Sequence, residues 1–168
     1  DKAGNRTVRT LDGIRVDTRP TPVSVKAASD GFSPNGDGFR DTMGFNLSVG
    51  LPEGISSWKL SMVEASGGAL KTFTGQGRVP ETLFWDGKTD AGKVVEGTYS
   101  ALLEVNYAKG NRPSAKSDPF LLSITPPKVS VDAGPLPFSP DGDGYNDTLT
   151  VTLKAEGASP IDSWDIQI

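Results

Sequence analysis

The stretch Phe32-Ser-Pro-Asn-Gly-Asp-Gly-Phe-Arg-Asp-Thr42 occurs twice in the chain, the second time as Phe138-Ser-Pro-Asp-Gly-Asp-Gly-Tyr-Asn-Asp-Thr148. The two copies stand 106 residues apart, from Phe32 to Phe138, and the same offset relates Trp58 to Trp164 without a gap. A fixed period of this kind is the sequence signature of repeated structural units. The sequence therefore predicts that the chain is a segment of a tandem array of repeats.

The period divides the chain into three parts. Residues 1–20 are predicted to be the C-terminal strands of a preceding repeat, residues 21–126 a complete repeat, and residues 127–168 the N-terminal half of a following repeat. The joints read Arg19-Pro-Thr-Pro22 and Thr125-Pro-Pro-Lys128, and short proline-rich links behave as semi-rigid spacers. Because neither outer part has enough strands for a domain, we expect each to rest on the complete repeat or on a neighbouring chain.

Apolar residues alternate with period two through the complete repeat, which indicates β-strands. About seven short strands separated by turn clusters, with no helical period, predict an all-β fold, an immunoglobulin-like β-sandwich. In chain order the strand residues are Val23, Val25 and Ala27; Met43, Phe45, Leu47 and Val49; Trp58, Leu60 and Met62; Leu70 and Phe73; Leu83 and Trp85; Tyr99, Ala101, Leu103, Val105 and Tyr107; and Phe120, Leu122 and Ile124. In the following repeat they are Leu149, Val151 and Leu153, then Trp164, Ile166 and Ile168.

The composition removes several classes of function. The chain has 17 basic and 21 acidic residues, a net charge of −4, and no basic run that would suit a nucleic acid or an anionic membrane. No apolar run is long enough to insert directly into a membrane. Cysteine and histidine are both absent, which excludes disulfides, cysteine nucleophiles, Ser-His-Asp triads and metal sites built on His or Cys.

The repeated stretch is the candidate site, because it matches most of a calcium-binding loop. Counting from Ser33, side-chain oxygens stand at positions 3, 5 and 9, a glycine at position 6, and a backbone carbonyl is offered by position 7. The predicted ligands of the first loop are Asn35, Asp37, the Phe39 carbonyl and Asp41. Those of the second loop are Asp141, Asp143, the Tyr145 carbonyl and Asp147.

Both loops depart from the full calcium pattern at its two ends. Position 1 is Ser33 or Ser139 instead of Asp, and position 12 is Gly44 or Thr150 instead of a bidentate Glu. We therefore expect a structural Ca²⁺ bound with a dissociation constant of about 10⁻⁴–10⁻³ M. The alternative is a turn whose Asp side chains accept hydrogen bonds from the loop's own backbone.

Strand direction places the acidic loop at the pole of the domain from which the chain leaves. The connection Trp85-Asp-Gly-Lys-Thr-Asp-Ala-Gly-Lys93 falls at the same pole. Asp86 or Asp90 could supply a missing ligand there, although a plain Asp-Gly turn is the favoured interpretation. A metal ion at this pole would stiffen the joint to the next repeat.

The two motifs, together with Gly97-Thr-Tyr99, resemble the Ig-like repeats related to the flagellar hook-capping protein's Ig domain and the gliding-motility-associated C-terminal modules of large bacterial surface proteins. The resemblance covers residues 21–126 and 127–168. It implies an exported bacterial protein, at the cell surface, extracellular or periplasmic, built as a string of β-sandwiches. Its partners would be neighbouring repeats of the same chain, and beyond them other surface proteins or glycans.

Two other functions remain open on the sequence. Trp58 and Trp164 share a repeat position in phase with apolar neighbours and are predicted to lie in the core. Trp85 precedes a turn, and the sequence favours neither a core position nor a role in stacking on a sugar. A calcium-dependent carbohydrate-binding module is therefore one alternative, and a subunit joined to other copies by strand complementation is another. No carboxylate pair falls in a glycosidase motif, so a non-enzymatic function is predicted.

Overall fold

Alternation of apolar and polar residues produces eleven β-strands in a computed structural model that describes residues 2–13, 16–158, 160–161 and 163–167. The strands are β1 Val23–Ala27, β2 Gly31–Phe32, β3 Met43–Val49, β4 Ile55–Glu64, β5 Ala69–Gln76, β6 Thr82–Trp85, β7 Gly97–Tyr107, β8 Ser114–Lys116, β9 Phe120–Leu122, β10 Lys128–Gly134 and β11 Thr150–Glu156. None of the described residues forms a helix, so no helix among them could cross a membrane.

The first nine strands form two sheets. One has the order β1-β3-β6, and the other has the order β2-β9-β7-β4-β5, with β8 also paired to β7. The first, second and fifth predicted strands thus lie in one sheet, and the third, fourth, sixth and seventh lie in the other, as in an immunoglobulin-type sandwich. At the start of β7 the Tyr99 hydroxyl donates a hydrogen bond of 2.8 Å to the Val95 carbonyl, four residues upstream, a contact that recurs at this corner of such domains.

The prediction of an all-β sandwich is confirmed, and the fourth predicted strand, β5, pairs with β4 at the edge of the larger sheet. Two details differ from the prediction. The first predicted strand is followed by a short second segment, β2, which pairs in parallel with β9 in the larger sheet. Ile124, predicted to lie in the last strand, lies beyond β9 and is 43% exposed, because its backbone N–H bonds a side chain instead of a neighbouring strand.

Aromatic side chains fill the centre of the sandwich. Trp85 is 1% exposed, and its ring lies 5.4 Å from Phe32, 6.0 Å from Tyr99 and 6.3 Å from Phe120, measured between centroids. Its indole N–H donates to the Lys88 carbonyl at 2.8 Å. Trp85 is therefore a core residue, and it offers no exposed face on which a sugar could stack.

Trp58 is partly buried, as a core position at the edge of the sandwich would be, and its ring covers Gly75 on β5. A Cβ atom on Gly75 would lie 2.5 Å from the indole ring of Trp58. That separation is far inside van der Waals contact, so the sequence can place a large ring here only because the opposite residue has no side chain.

The Gly75→Ala substitution is expected to lower the free energy of unfolding by about 1–3 kcal/mol, because the new methyl group must displace the Trp58 ring. Urea unfolding of the full chain measures this. Gly68→Ala is the matched control, since the nearest atom to its new Cβ is 3.6 Å away, in a flexible Glu64 side chain. Equal stability of the two variants would show that Trp58 does not lie on Gly75 in solution.

The hairpin of β10 and β11 reproduces the pairing of β1 with β3 in the same register. Val25 pairs with Leu47, and 106 residues later Val131 pairs with Leu153. The two pairs differ in burial: Val25 is 4% exposed, whereas Val131 is 59% exposed. No strand equivalent to β4, β7 or β9 covers the second hairpin among the described residues, so its apolar face is open.

The outer parts of the chain form fewer strands than predicted. Residues 2–13 and 16–20 contain no strand, and neither do the described residues between 157 and 167. Trp164 is 72% exposed, so the core position predicted for it is wrong in this structure. The physical reason is the absence of a partner strand among the described residues, since Trp58 is covered by β5 and Trp164 has no such neighbour there. Ile168 lies outside the described residues.

Candidate metal-binding loops

Residues 33–41 fold into a tight turn at the base of β3. The Ser33 N–H donates to the Arg40 carbonyl at 2.9 Å and closes the turn. Gly36, Gly38 and Arg40 adopt positive φ angles of 84°, 88° and 52°. Two of these positions need glycine, because the left-handed region is costly for residues with a side chain.

The carboxylate of Asp41 holds the turn together. Its Oδ1 accepts a hydrogen bond of 2.7 Å from the Gly36 N–H, and its Oδ2 accepts one of 2.8 Å from the Gly38 N–H. One carboxylate thus accepts hydrogen bonds from both backbone N–H groups that the glycine conformations point into the turn.

The carboxylate of Asp37 is held by its own neighbours along the chain. Its Oδ1 accepts from the Phe39 N–H at 2.8 Å and its Oδ2 from the Asn35 side-chain amide at 2.9 Å. These two hydrogen bonds, that of Asn35 first, lower the pKa of Asp37 below its ordinary value. The carboxylate is therefore ionised at neutral pH, as a calcium ligand must be.

The second loop has the same geometry 106 residues on, as Asp41 and Asp147 show. Asp147 accepts hydrogen bonds of 2.8 Å from both Gly142 and Gly144, and Asp143 accepts one of 2.7 Å from the Tyr145 N–H. In this copy Asp141, Asp143 and Asp147 each bring a carboxylate oxygen within 4.8 Å of the other two. The first loop has Asn35 in place of Asp141 and so carries two carboxylates and one amide.

The three carboxylates predicted as ligands are brought together in the second loop, and Asn35 contacts Asp37 in the first. The alternative, a turn whose carboxylates accept hydrogen bonds from the loop's own backbone, is formed in both loops. The two descriptions are compatible, because a carboxylate oxygen that accepts one N–H retains a further lone pair. Calcium takes six to eight oxygens at about 2.3–2.6 Å, so backbone carbonyls and waters would have to complete the shell. The side chains of Phe39 and Tyr145, whose carbonyls were predicted as ligands, are 70% and 74% exposed.

The acidic loop and the connection from β6 to β7 lie at the same pole, as predicted. A Cβ on Gly87 would come within 2.6 Å of the Pro34 ring. Asp86, however, accepts a hydrogen bond of 3.1 Å from the Lys88 N–H, as in a plain Asp-Gly turn. Asp90 forms an ion pair of 3.1 Å with Lys71, so both carboxylates already have local partners.

Sequence reasoning missed one residue at this pole. Glu96, just before β7, accepts hydrogen bonds from the chain that leaves β9. It stands in no motif, and nothing in its neighbours along the sequence indicates this contact.

A shallow groove of about 540 Å³ lies away from both loops, on the larger sheet. Its lining includes Ser57, Lys59, Thr74, Glu104 and Arg112. Lys59 and Glu104 form an ion pair of 2.7 Å across it, and Glu104 has no second carboxylate among the groove's lining residues to form a hydrolytic pair.

Comparison with known proteins gives a likeness of fold only. No family model matches the chain, and no curated protein matches it. Among solved structures, the crystal structure of dimeric latent PorU from Porphyromonas gingivalis aligns with a TM-score of 0.49 and 17% sequence identity, over 70% of this chain and 10% of that one. The chain thus spans about a tenth of the length of the protein it matches.

Proposed function

We propose that the chain is a non-enzymatic Ig-like repeat segment of an exported bacterial surface or secreted protein, and that it works as a calcium-stabilised spacer or adhesive stalk. The observation that carries the proposal is the 106-residue period, which recurs in the register of two hairpins and in the hydrogen bonds of two acidic loops. Repetition of one unit along a chain suits a function that depends on length and spacing.

Calcium is the proposed ion because all the converging groups are oxygens. Neutralising two or three carboxylates within one nine-residue turn favours a divalent cation, and the absence of His and Cys disfavours zinc and other soft-ligand metals. A structural ion fits better than a sensor, since the loop is flanked by strands that already belong to fixed sheets.

The partners proposed for the chain are the neighbouring repeats, with other surface proteins or glycans beyond them. The exposed apolar face of the β10–β11 hairpin supports the first of these, because its equivalent in the complete domain is covered by the rest of the sandwich. The carbohydrate-binding alternative is weakened, because Trp85, the tryptophan considered for stacking on a sugar, is buried.

Small-angle scattering of the full chain, with calcium and with excess chelator, tests the proposal. We expect chelation to increase the radius of gyration and to broaden the distance distribution, because a loop without its ion holds the adjoining linker less firmly. Identical curves in the two conditions would contradict a calcium-stabilised spacer.

A further inference from the structure

The carboxylate of Glu96 holds the start of the linker that leaves the complete domain. Glu96 accepts hydrogen bonds from three consecutive residues: the Ser123 hydroxyl at 3.0 Å, the Ile124 N–H, and both the N–H and the hydroxyl of Thr125, at 2.7 and 3.0 Å. Two of the four donors are backbone groups, so the contact fixes the path of the chain as well as the side chains. Pro126 and Pro127 follow at once and restrict the next backbone angles.

Glu96 is itself held in place from the core side. The Tyr99 hydroxyl donates to the Val95 carbonyl at 2.8 Å, so the peptide before Glu96 is tied to a residue that is 2% exposed. On the other side of the linker, the Ser123 N–H donates to the Phe32 carbonyl at 3.3 Å, at the base of the acidic loop. The linker thus begins between two fixed parts of the domain.

The linker that precedes the complete domain is held at the same repeat positions by a different residue. Asp17 and Arg19 are equivalent to Ser123 and Thr125 at the 106-residue offset. Lys109, in the turn after β7, donates to the Arg19 carbonyl at 2.9 Å and lies 3.4 Å from the Asp17 carboxylate. Asp17 in turn binds the Arg19 guanidinium through both oxygens, at 3.0 and 2.9 Å.

We infer that the angle between consecutive repeats is set by these two charged contacts. Glu96 binds the outgoing linker, and Lys109 binds the incoming one. Each linker is held at the same repeat positions, in one case by the domain before it and in the other by the domain after it. Glu96 and Lys109 are positioning residues, which act by restricting the backbone of the joint. The inference rests on the proposed spacer function and names what makes the spacer stiff.

Distances between spin labels test the inference on the full chain. The chain has no cysteine, so Asn46→Cys and Thr152→Cys place one label on the complete domain and one on the β10–β11 hairpin. We expect Glu96→Ala to widen the measured distance distribution about twofold, because the freed residues gain the freedom of a short flexible linker. Tyr99→Phe is expected to widen it less, since it loosens only the support of Glu96.

Glu104→Ala is the matched control, because it removes a carboxylate on β7 that contacts Lys59 and not a linker. Its distribution should equal that of the parent chain. A second label pair, Arg9→Cys with Asn46→Cys, tests Lys109→Ala in the same way. Equal widths for Glu96→Ala, Glu104→Ala and the parent, in chains with unchanged circular dichroism, would overturn the inference.

Repeating the measurement with chelator separates this inference from the calcium proposal. Widening on chelation alone, with no effect of Glu96→Ala, would support a calcium-stabilised spacer and overturn the role of Glu96. Widening by Glu96→Ala alone would support the charged contacts and contradict the part given to calcium.

Discussion

Trp85→Ala is expected to lower the free energy of unfolding of the complete domain by about 3–5 kcal/mol, the usual cost of removing a fully buried large aromatic side chain. The indole is 1% exposed and lies among three aromatic rings that come from β2, β7 and β9. These strands belong to the larger sheet and Trp85 to the smaller one, so the substitution opens a cavity where the two sheets meet. Urea unfolding followed by circular dichroism measures the loss.

Trp164→Ala is the matched control for that experiment. Trp164 holds the same type of side chain but is 72% exposed, so its replacement is expected to change stability by no more than about 0.5 kcal/mol. A loss below about 1 kcal/mol for Trp85→Ala would contradict the core position of Trp85. Trp85 would then again be a candidate for stacking on a ligand, and loss of glycan binding in Trp85→Ala would support that role.

Local patterning was enough to predict the central strands. Phe45 and Leu47 alternate with polar residues along β3, as Val105 and Tyr107 do along β7. In these parts of the two strands, buried residues alternate with more exposed ones. Residues that depend on distant partners were not predictable in this way. The two-residue strand β2 is too short to alternate, and its parallel pairing to β9 is decided 90 residues away in the chain, between Gly31 and Leu121.

In the candidate site, too, the local sequence predicted some features and not others. The spacing of Asn35, Asp37 and Asp41 predicted that their oxygens converge, because a turn with glycine at its sharp bend brings these positions together. The alternative of a turn capped by its own carboxylates described the type of contact, but it did not identify Asp41 as the acceptor or Gly36 and Gly38 as the donors. Glu96 escaped prediction altogether, since its partners lie 27 to 29 residues away and become neighbours only when β7 and β9 pair.

Calcium is expected to raise the melting temperature of the complete domain by several degrees. An ion that binds only the folded state stabilises it by RT ln(1 + [L]/Kd), which is about 1.4 kcal/mol at about 1 mM calcium for a dissociation constant of about 10⁻⁴ M. For a domain of about 100 residues that free energy corresponds to a shift of several degrees. The shift must depend on the first loop, which is part of the folded domain.

Asp37→Ala removes one predicted ligand of that loop and also the hydrogen bonds to Phe39 and Asn35. Its melting temperature without calcium is therefore expected to fall slightly, and the informative quantity is the difference between melts with calcium and with chelator. Asp143→Ala is the matched control, because it removes the equivalent carboxylate of the second loop, which lies outside the domain that melts.

The most direct test of the account is thus the thermal melt of the full chain in calcium and in excess chelator, for the parent, Asp37→Ala and Asp143→Ala. We expect a calcium-dependent rise in the parent and in Asp143→Ala, and none in Asp37→Ala. Equal melting temperatures with and without calcium in the parent chain would contradict the account, and the repeated motif would then be a turn stabilised by its own carboxylates.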